Sequence, residues 1–410
     1  MPISVRVAIL ATALSSAPAL AEPITLDQAI ARAEAATPAF RAAEAGIAAA
    51  RGGLRQADIR PNPYLTVDAD NFAGTGSYNL LGRAEIAATY NQPIERGGKR
   101  DARVALARRD ISVAEAAARV ARLEQAAAVE RAFHEAGLAN YALEIALSRL
   151  SIEEGMQREA LRRVRGYKDP LFVETRAAAR VAQAEIVLTT ARTRLATARA
   201  ALAGFWGETG ADLEVDDSAF TAVPTGRRLA TADAALSEAA AERAVAAVVV
   251  EQSRAVQDFT VGGGARFLRP TNDLAAVATV TIPLGRFDRN QGAIERAQAE
   301  RQRIELTAEN ARLERLRRVA ALSADAAAAR SQAEAIVSAV YPRTAKAMVQ
   351  VREGYARGGF SFRDMQDAAD AILRAQDDWL QAVTRYRELQ TELDRLAGRF
   401  DTAEPTETMP

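Results

Sequence analysis

The chain has 410 residues, 53 basic and 53 acidic side chains, one histidine and no cysteine. Balanced charge supplies no field that would gather nucleic acid, and the lack of cysteine removes disulfides, thiolate metal sites and a lipidated N-terminal cysteine. Alanine makes up about a quarter of the residues and aromatics only 5%, a composition that favours long helices over ordinary globules.

Residues 1–21 read as a secretory signal. Arg6 is the positive start, Val7 to Leu14 the apolar segment, and Ala19-Leu20-Ala21 the small-residue cleavage site. The mature chain is expected to begin near Glu22. No later stretch approaches about 18 uncharged apolar residues, so no transmembrane helix is expected.

Residues 22–203 read as a first structural repeat. A helix from about Leu26 to Ile59 has Thr25 as its cap and Pro61 and Pro63 as its stop. A β-hairpin over 63–93 follows. Ala84, Ile86, Ala88 and Tyr90 fall on one face of its second strand, with Arg83, Glu85, Thr89 and Asn91 on the other. This is an amphipathic strand of about ten residues, the length of a tilted strand in a membrane. Pro93, Gly97 and Gly98 mark a strand-to-helix turn, and Pro93 is expected to end the strand.

From Lys99 to about Arg165 a single long helix is expected. Val104, Ile111, Ala118 and Ala132 keep one seven-residue register, and Ala107, Ala114, Ala121 and Ala128 a second. Two adjacent registers make a coiled-coil seam. The tight turn Gly166 to Pro170 returns the chain into a helix from about Phe172 to Ala203. Residues 204–229 are a Gly-, Asp- and Pro-bearing connector.

The order then recurs over 230–399. A helix from about Ala230 to Ala255 leads to a hairpin over 258–284. Phe259, Val261, Ala265 and Phe267 share a face of its first strand, and Leu274, Ala276, Ala278, Val280 and Ile282 a face of its second. Pro283 and Gly292 mark the second strand-to-helix turn. A second long helix, read as continuing without a proline stop, is expected from about Ala293 to Arg352, followed by the turn Gly354 to Ser361 and a last helix to about Leu396. Residues 400–410 read as a disordered tail. Four amphipathic strands cannot close a pore-sized barrel, and an edge in lipid must be paired. Several chains are therefore expected to pool their strands.

This organisation, with "QPIERGGKR" (92–100), "IPLGRFDRNQG" (282–292) and "YARGGFSFRDMQDA" (355–368), resembles the outer-membrane efflux duct family typified by TolC. The first motif is most similar to the heavy-metal, CzcC- and CusC-like branch. The resemblance implies a mainly α fold with a membrane β-barrel portion. A homotrimer would build one shared barrel in the outer membrane and a long α-helical barrel through the periplasm. It further implies a periplasmic adaptor and an inner-membrane RND transporter as partners, surrounding outer-membrane lipid, and no cofactor and no catalysis. Adaptor docking falls to the tip turns, here Gly166, Lys168, Pro170, Gly354, Gly358 and Gly359. Asp364 and Asp367 match the acidic rings at the narrow tip, where three copies of each would attract cations and raise one another's pKa. Tyr355 and Glu174 match residues that tie neighbouring tip helices shut. Phe360 stands where the best-known members carry a latch arginine, leaving Arg357 or Arg363 as the candidate substitute. Lys168-Asp169-Pro170 replaces the usual Gly-containing turn.

His134 has no second nitrogen or sulfur ligand nearby in sequence, so a packing role is expected over a metal role. "VGGGAR" (261–266) lacks the Lys-Ser/Thr of a phosphate loop. Glu153-Glu154 and Asp377-Asp378 read as solvated faces or inter-helix ion pairs. Two alternatives to a heavy-metal duct stay open: a duct for organic toxicants or a secreted polypeptide, and a periplasmic structural coiled-coil protein with no membrane strands.

Overall fold

The computed structural model of the protein describes residues 23–79, 81–216 and 231–400. The expected signal sequence, part of the expected connector and all but Phe400 of the expected tail lie outside the described residues.

The described elements are eight α-helices and four strands. In chain order they are α1 (Leu26–Ala36), α2 (Pro38–Ala57), β1 (Tyr64–Asp70), β2 (Glu85–Ile94), α3 (Lys99–Arg165), α4 (Leu171–Ala203), α5 (Thr231–Arg254), β3 (Phe259–Leu268), β4 (Asp273–Thr281), α6 (Gln291–Ala335), α7 (Tyr341–Arg357) and α8 (Phe362–Leu396). Thr25 and Gln28 cap α1 reciprocally, with the Gln28 N–H donating to Thr25 Oγ1 at 3.3 Å and the Thr25 N–H to Gln28 Oε1 at 3.0 Å.

Three expectations need correction. The first helix is two helices, because Thr37 is extended and Pro38 restarts the turn at the first helical position. The second long helix is broken by a π-helical turn, Ile336–Val340, just before Pro342. A proline ring cannot fit the regular hydrogen-bond ladder, and the wider turn absorbs the misfit. Pro93 lies inside β2, opposite Thr260 of β3. Strand β1 begins at the level of Asn91, so beyond that point β2 has a neighbour only on the β3 side, which leaves room for a residue without an N–H.

The chain divides into two compact units, and each draws residues from both repeats. Among the described residues the first unit comprises 23–36, 129–216 and 332–384. One core cluster here gathers Val129, Phe133 and Ala136 of α3, Leu195, Ala198 and Leu202 of α4, and Ile24 and Ala29. Ile24 is also tied to the connector by a parallel bridge to Val215. A second cluster joins Met156 and Ala160 of α3, Val173 of α4, Met348 and Tyr355 of α7, and Phe362 and Met365 of α8.

Among the described residues the second unit comprises 37–79, 81–128, 231–331 and 385–400, and holds the sheet. The strands lie in the order β1-β2-β3-β4, every neighbour antiparallel. The pairs Val67–Ala88, Ala88–Ala265 and Ala265–Ala276 carry one apolar face across all four strands. On that face Leu65, Val67, Ile86, Tyr90, Leu274 and Val280 are exposed. On the opposite face Thr89 and Asn91 are buried, Asn91 Nδ2 donates to Thr66 Oγ1 at 2.9 Å, and Arg266 pairs with Glu85 at 3.1 Å. Exposed apolar side chains on one face and paired polar ones on the other are the reverse of a soluble sheet and the pattern of a lipid-facing wall. A core of Leu322, Ala326 and Ala329 against Tyr386, Leu389 and Leu393 completes this unit.

Candidate functional site

Two features were singled out from the sequence: the two helical turns of the first unit and the strand-to-helix turns of the second.

The α3–α4 turn closes by a Schellman motif. The Lys168 N–H reaches the Arg163 carbonyl at 2.9 Å, and the Tyr167 N–H the Val164 carbonyl at 3.0 Å. Its left-handed residue is Tyr167, with φ 57°, and not Gly166. The α7–α8 turn uses the same motif. Here the Gly359 N–H reaches the Gly354 carbonyl and the Gly358 N–H the Tyr355 carbonyl, both at 2.9 Å, with Gly358 at φ 87°. Gly354 is helical and serves packing. A Cβ there would stand 2.1 Å from Phe360 Cδ2.

These turns are joined by a cluster that the sequence did not show. Tyr355 is fully buried and its hydroxyl donates to Asp169 Oδ2. Arg163 grips the same carboxylate with two hydrogen bonds, Nε at 2.9 Å and Nη2 at 3.0 Å. Its Nη1 donates to the Tyr355 carbonyl at 2.7 Å, and its guanidinium lies over the Tyr355 ring, 4.5 Å from the centroid. Planar, bidentate geometry of this kind is what arginine supplies and lysine does not. The Arg163 guanidinium holds the Asp169 carboxyl below its ordinary range. Burial, followed by the Asp169 charge, pushes the Tyr355 phenol up, so the hydroxyl keeps its proton and donates.

The expected partners stand differently. Glu174 makes no hydrogen bond or ion pair among the described residues, so within the chain Tyr355 pairs with Asp169 instead. Arg357 reaches Glu353, at 3.7 Å. Asp364 is the third residue of a capping box at the start of α8, accepting from the Ser361 N–H at 2.8 Å and its hydroxyl at 2.7 Å. Within one chain those two bonds hold the Asp364 carboxyl below its ordinary range. Asp364 and Asp367 are both exposed, whereas Met365 and Gln366 between them are buried. Further along α3, Arg180 of α4 grips the buried Glu153 at 2.7 to 3.0 Å, and Arg149 reaches Asp377 of α8 at 2.7 Å. His134 is buried, packs edge-on to Phe133, and lies 3.4 Å from Glu130. Among the described residues no three His, Asp or Glu side chains gather in a metal-binding group.

In the second unit Gly97 and Gly98 both take φ 69° between β2 and α3. The Arg96 N–H at 2.9 Å and Lys99 Nζ at 2.8 Å both meet Asp258, just before β3. At the other junction Gly292 is already in α6, and the left-handed residue is Asn290, φ 59°. Pro283 lies two residues beyond the end of β4 at Thr281. A cleft of about 720 Å³ opens beside the first junction, lined among others by Ile59, Pro61, Asn62, Pro63, Pro93 and Ile94.

Comparison with known proteins agrees with this architecture. A family model described as outer membrane efflux protein matches residues 29–208. The cobalt-zinc-cadmium resistance protein CzcC of Cupriavidus metallidurans is 30% identical over 390 residues, 92% of this chain and 91% of that protein. The outer membrane protein VceC of Vibrio cholerae superposes with a TM-score of 0.75 at 21% identity, over 91% of this chain and 96% of that one. CusC does so with a TM-score of 0.73 at 17% identity, over 90% and 91%.

Proposed function

The chain belongs to the outer membrane efflux protein family, and on that premise we propose that three copies form the exit duct of a tripartite system that expels heavy-metal cations. The observation that carries this reading is the sheet. Its apolar residues are exposed on one face, its polar residues are paired on the other, and β1 and β4 are unpaired edges. Such a sheet is complete in lipid only when other copies cover both edges. A periplasmic coiled-coil rod has no use for it.

The cargo reading is supported by the name of the cobalt-zinc-cadmium resistance relative and by its near-complete coverage. The chain supplies a passive path, and energy comes from an inner-membrane RND pump joined through a periplasmic adaptor. The adaptor docks at the turns containing Gly166, Lys168, Pro170, Gly358 and Gly359. Asp364 and Asp367 face the narrow point and favour cations there. The Arg163–Asp169–Tyr355 cluster holds the tip closed within each copy, and Glu174, unpartnered among the described residues, is left to contact a neighbouring copy.

The test is deletion of the protein, followed by growth on zinc, cobalt, cadmium, nickel and copper beside a dye and a detergent. Lost metal tolerance is expected. Intact metal tolerance with lost dye tolerance would replace the cargo reading with organic toxicants.

A further inference from the structure

The apolar alternation of β4 outruns its pairing. Leu274, Ala276, Ala278 and Val280 continue in step through Ile282 and Leu284, yet the last in-chain pair is Thr281 with Thr260. Ile282 is 59% exposed, Leu284 88% and Phe287 85%. A strand pattern prolonged past its only neighbour points to a neighbour outside the chain.

The other free edge offers one. Three antiparallel steps separate β1 from β4, so β4 of one copy can lie antiparallel to β1 of the next. Through β2 and β3, Tyr64 is level with Asn91, Gly262 and Thr279. Closing a barrel requires a stagger along the strands at each turn of the ring. A stagger that lowers β4 past Tyr64 would meet Pro61, Pro63 and α2, where there is no strand. The opposite stagger sets residues beyond Thr281 against β1. In that direction, Leu284 beside Leu65, Ile282 beside Val67 and Val280 beside Ala69 keep every apolar side chain on one face. In this chain the segment now turns, with the Arg286 N–H reaching the Leu284 carbonyl at 2.8 Å; opened into a strand, the same register brings Phe287 to Asn62, which lines the cleft of Ile59, Pro61, Pro63, Pro93 and Ile94.

Resting on the trimer reading above, we propose that residues 282–287 of one copy are a strand extension that forms along β1 of the next copy, with Leu284 against Leu65 and Phe287 seated in the next copy's cleft. Pro283, which has no N–H, lies where β3 has already ended, and Ile282 and Leu284 supply the hydrogen-bonding groups toward β1. The junction with the helices is thereby sealed between copies as well as within them.

The chain has no cysteine, so introduced pairs report without background. Leu65→Cys with Leu284→Cys, and separately Val67→Cys with Ile282→Cys, are prepared from outer membranes under reducing conditions and then oxidised. Within a chain these positions are three strand spacings apart, about 14 Å, too far for a disulfide, whereas cross-strand neighbours are within reach. Most chains are expected to run as covalent trimers on a non-reducing gel. Ala69→Cys with Leu284→Cys, which is out of register, should stay monomeric on that gel. A trimer by sedimentation that gives no cross-link in either in-register pair overturns the extension and leaves the trimer standing. A monomer by sedimentation removes both. Phe287→Asp, which involves no introduced cysteine, should lower the temperature at which the trimer band is lost, and an unchanged temperature overturns the seat in the cleft.

Discussion

Arg163 and Tyr355 are 192 residues apart in sequence, yet Arg163 donates to the Tyr355 carbonyl at 2.7 Å while its guanidinium lies over that residue's ring. Arg163 thus ties the end of α3 to the end of α7, with Asp169 as the third member. Removing it leaves the Asp169 carboxylate and an α7 carbonyl without their charged donor. Arg163→Ala is expected to cost about 2 kcal/mol of tip closure, a shift of roughly 30-fold toward open forms. Planar-bilayer recordings should show larger or more frequent openings. Arg163→Lys should restore little, because a lysine cannot make the paired contact to Asp169. Unchanged recordings for both variants would remove the cluster from gating.

The cluster should be indifferent to pH across the physiological range. Asp169 titrates below its ordinary value because Arg163 holds its charged form. Its contribution is therefore present above the usual carboxylate pKa of about 3.9 and is lost only as pH falls through the lowered value. Tyr355 is raised by burial, so its contribution is present below the usual tyrosine pKa of about 10 and is lost only as pH rises beyond it. Hydrogen exchange of the α3–α4 and α7–α8 turns should be flat, after correction for intrinsic rates, from about pH 5 to pH 9, with loosening below about pH 4. Loosening near neutral pH would mean that another group controls the tip.

Tyr167 occupies the left-handed position that Gly358 occupies in the sister turn, and it is 98% exposed. A non-glycine residue pays about 1 kcal/mol there. Tyr167→Gly is expected to stabilise the helical portion by about that amount, read by thermal denaturation. A ring held in a strained backbone position and left exposed is placed for contact outside the chain, so the same variant should weaken binding of the purified adaptor. Lower thermal stability would show that the ring packs.

Asp367 separates pore electrostatics from helix capping better than Asp364. Asp364→Ala also removes the two acceptor bonds from Ser361 that cap α8. Asp367→Asn leaves the cap intact. It is expected to lower the cation-to-anion permeability ratio while the melting temperature stays fixed. An unchanged ratio would place Asp367 away from the narrow point.

Much of the fold was legible in the sequence because the signals were local. Lys99 to Arg165 is free of proline and holds its heptads, and α3 spans those residues. The strands showed in their alternation. What was missed depended on competition between rules. Thr37-Pro38 reads as a continuing helix only if the restriction that proline places on the residue before it is ignored. Pro342 breaks the second long helix although the alanine-rich flanks favour continuity. Gly166 and Gly292 were natural choices for their turns, but Tyr167 and Asn290 take the left-handed conformation. The Arg163–Asp169–Tyr355 cluster had no sequence signal beyond an arginine and an aspartate flanking a turn. Its third member lies on a distant helix, and no spacing rule connects them.

The central claim is that this sheet is finished only by further copies of the same chain. The direct measurement is the mass of the detergent-extracted protein by sedimentation with the detergent contribution matched out. The account predicts three chains per particle, lost together with the sheet signal on heating. A stable single chain that retains its sheet and stays soluble without detergent would contradict it.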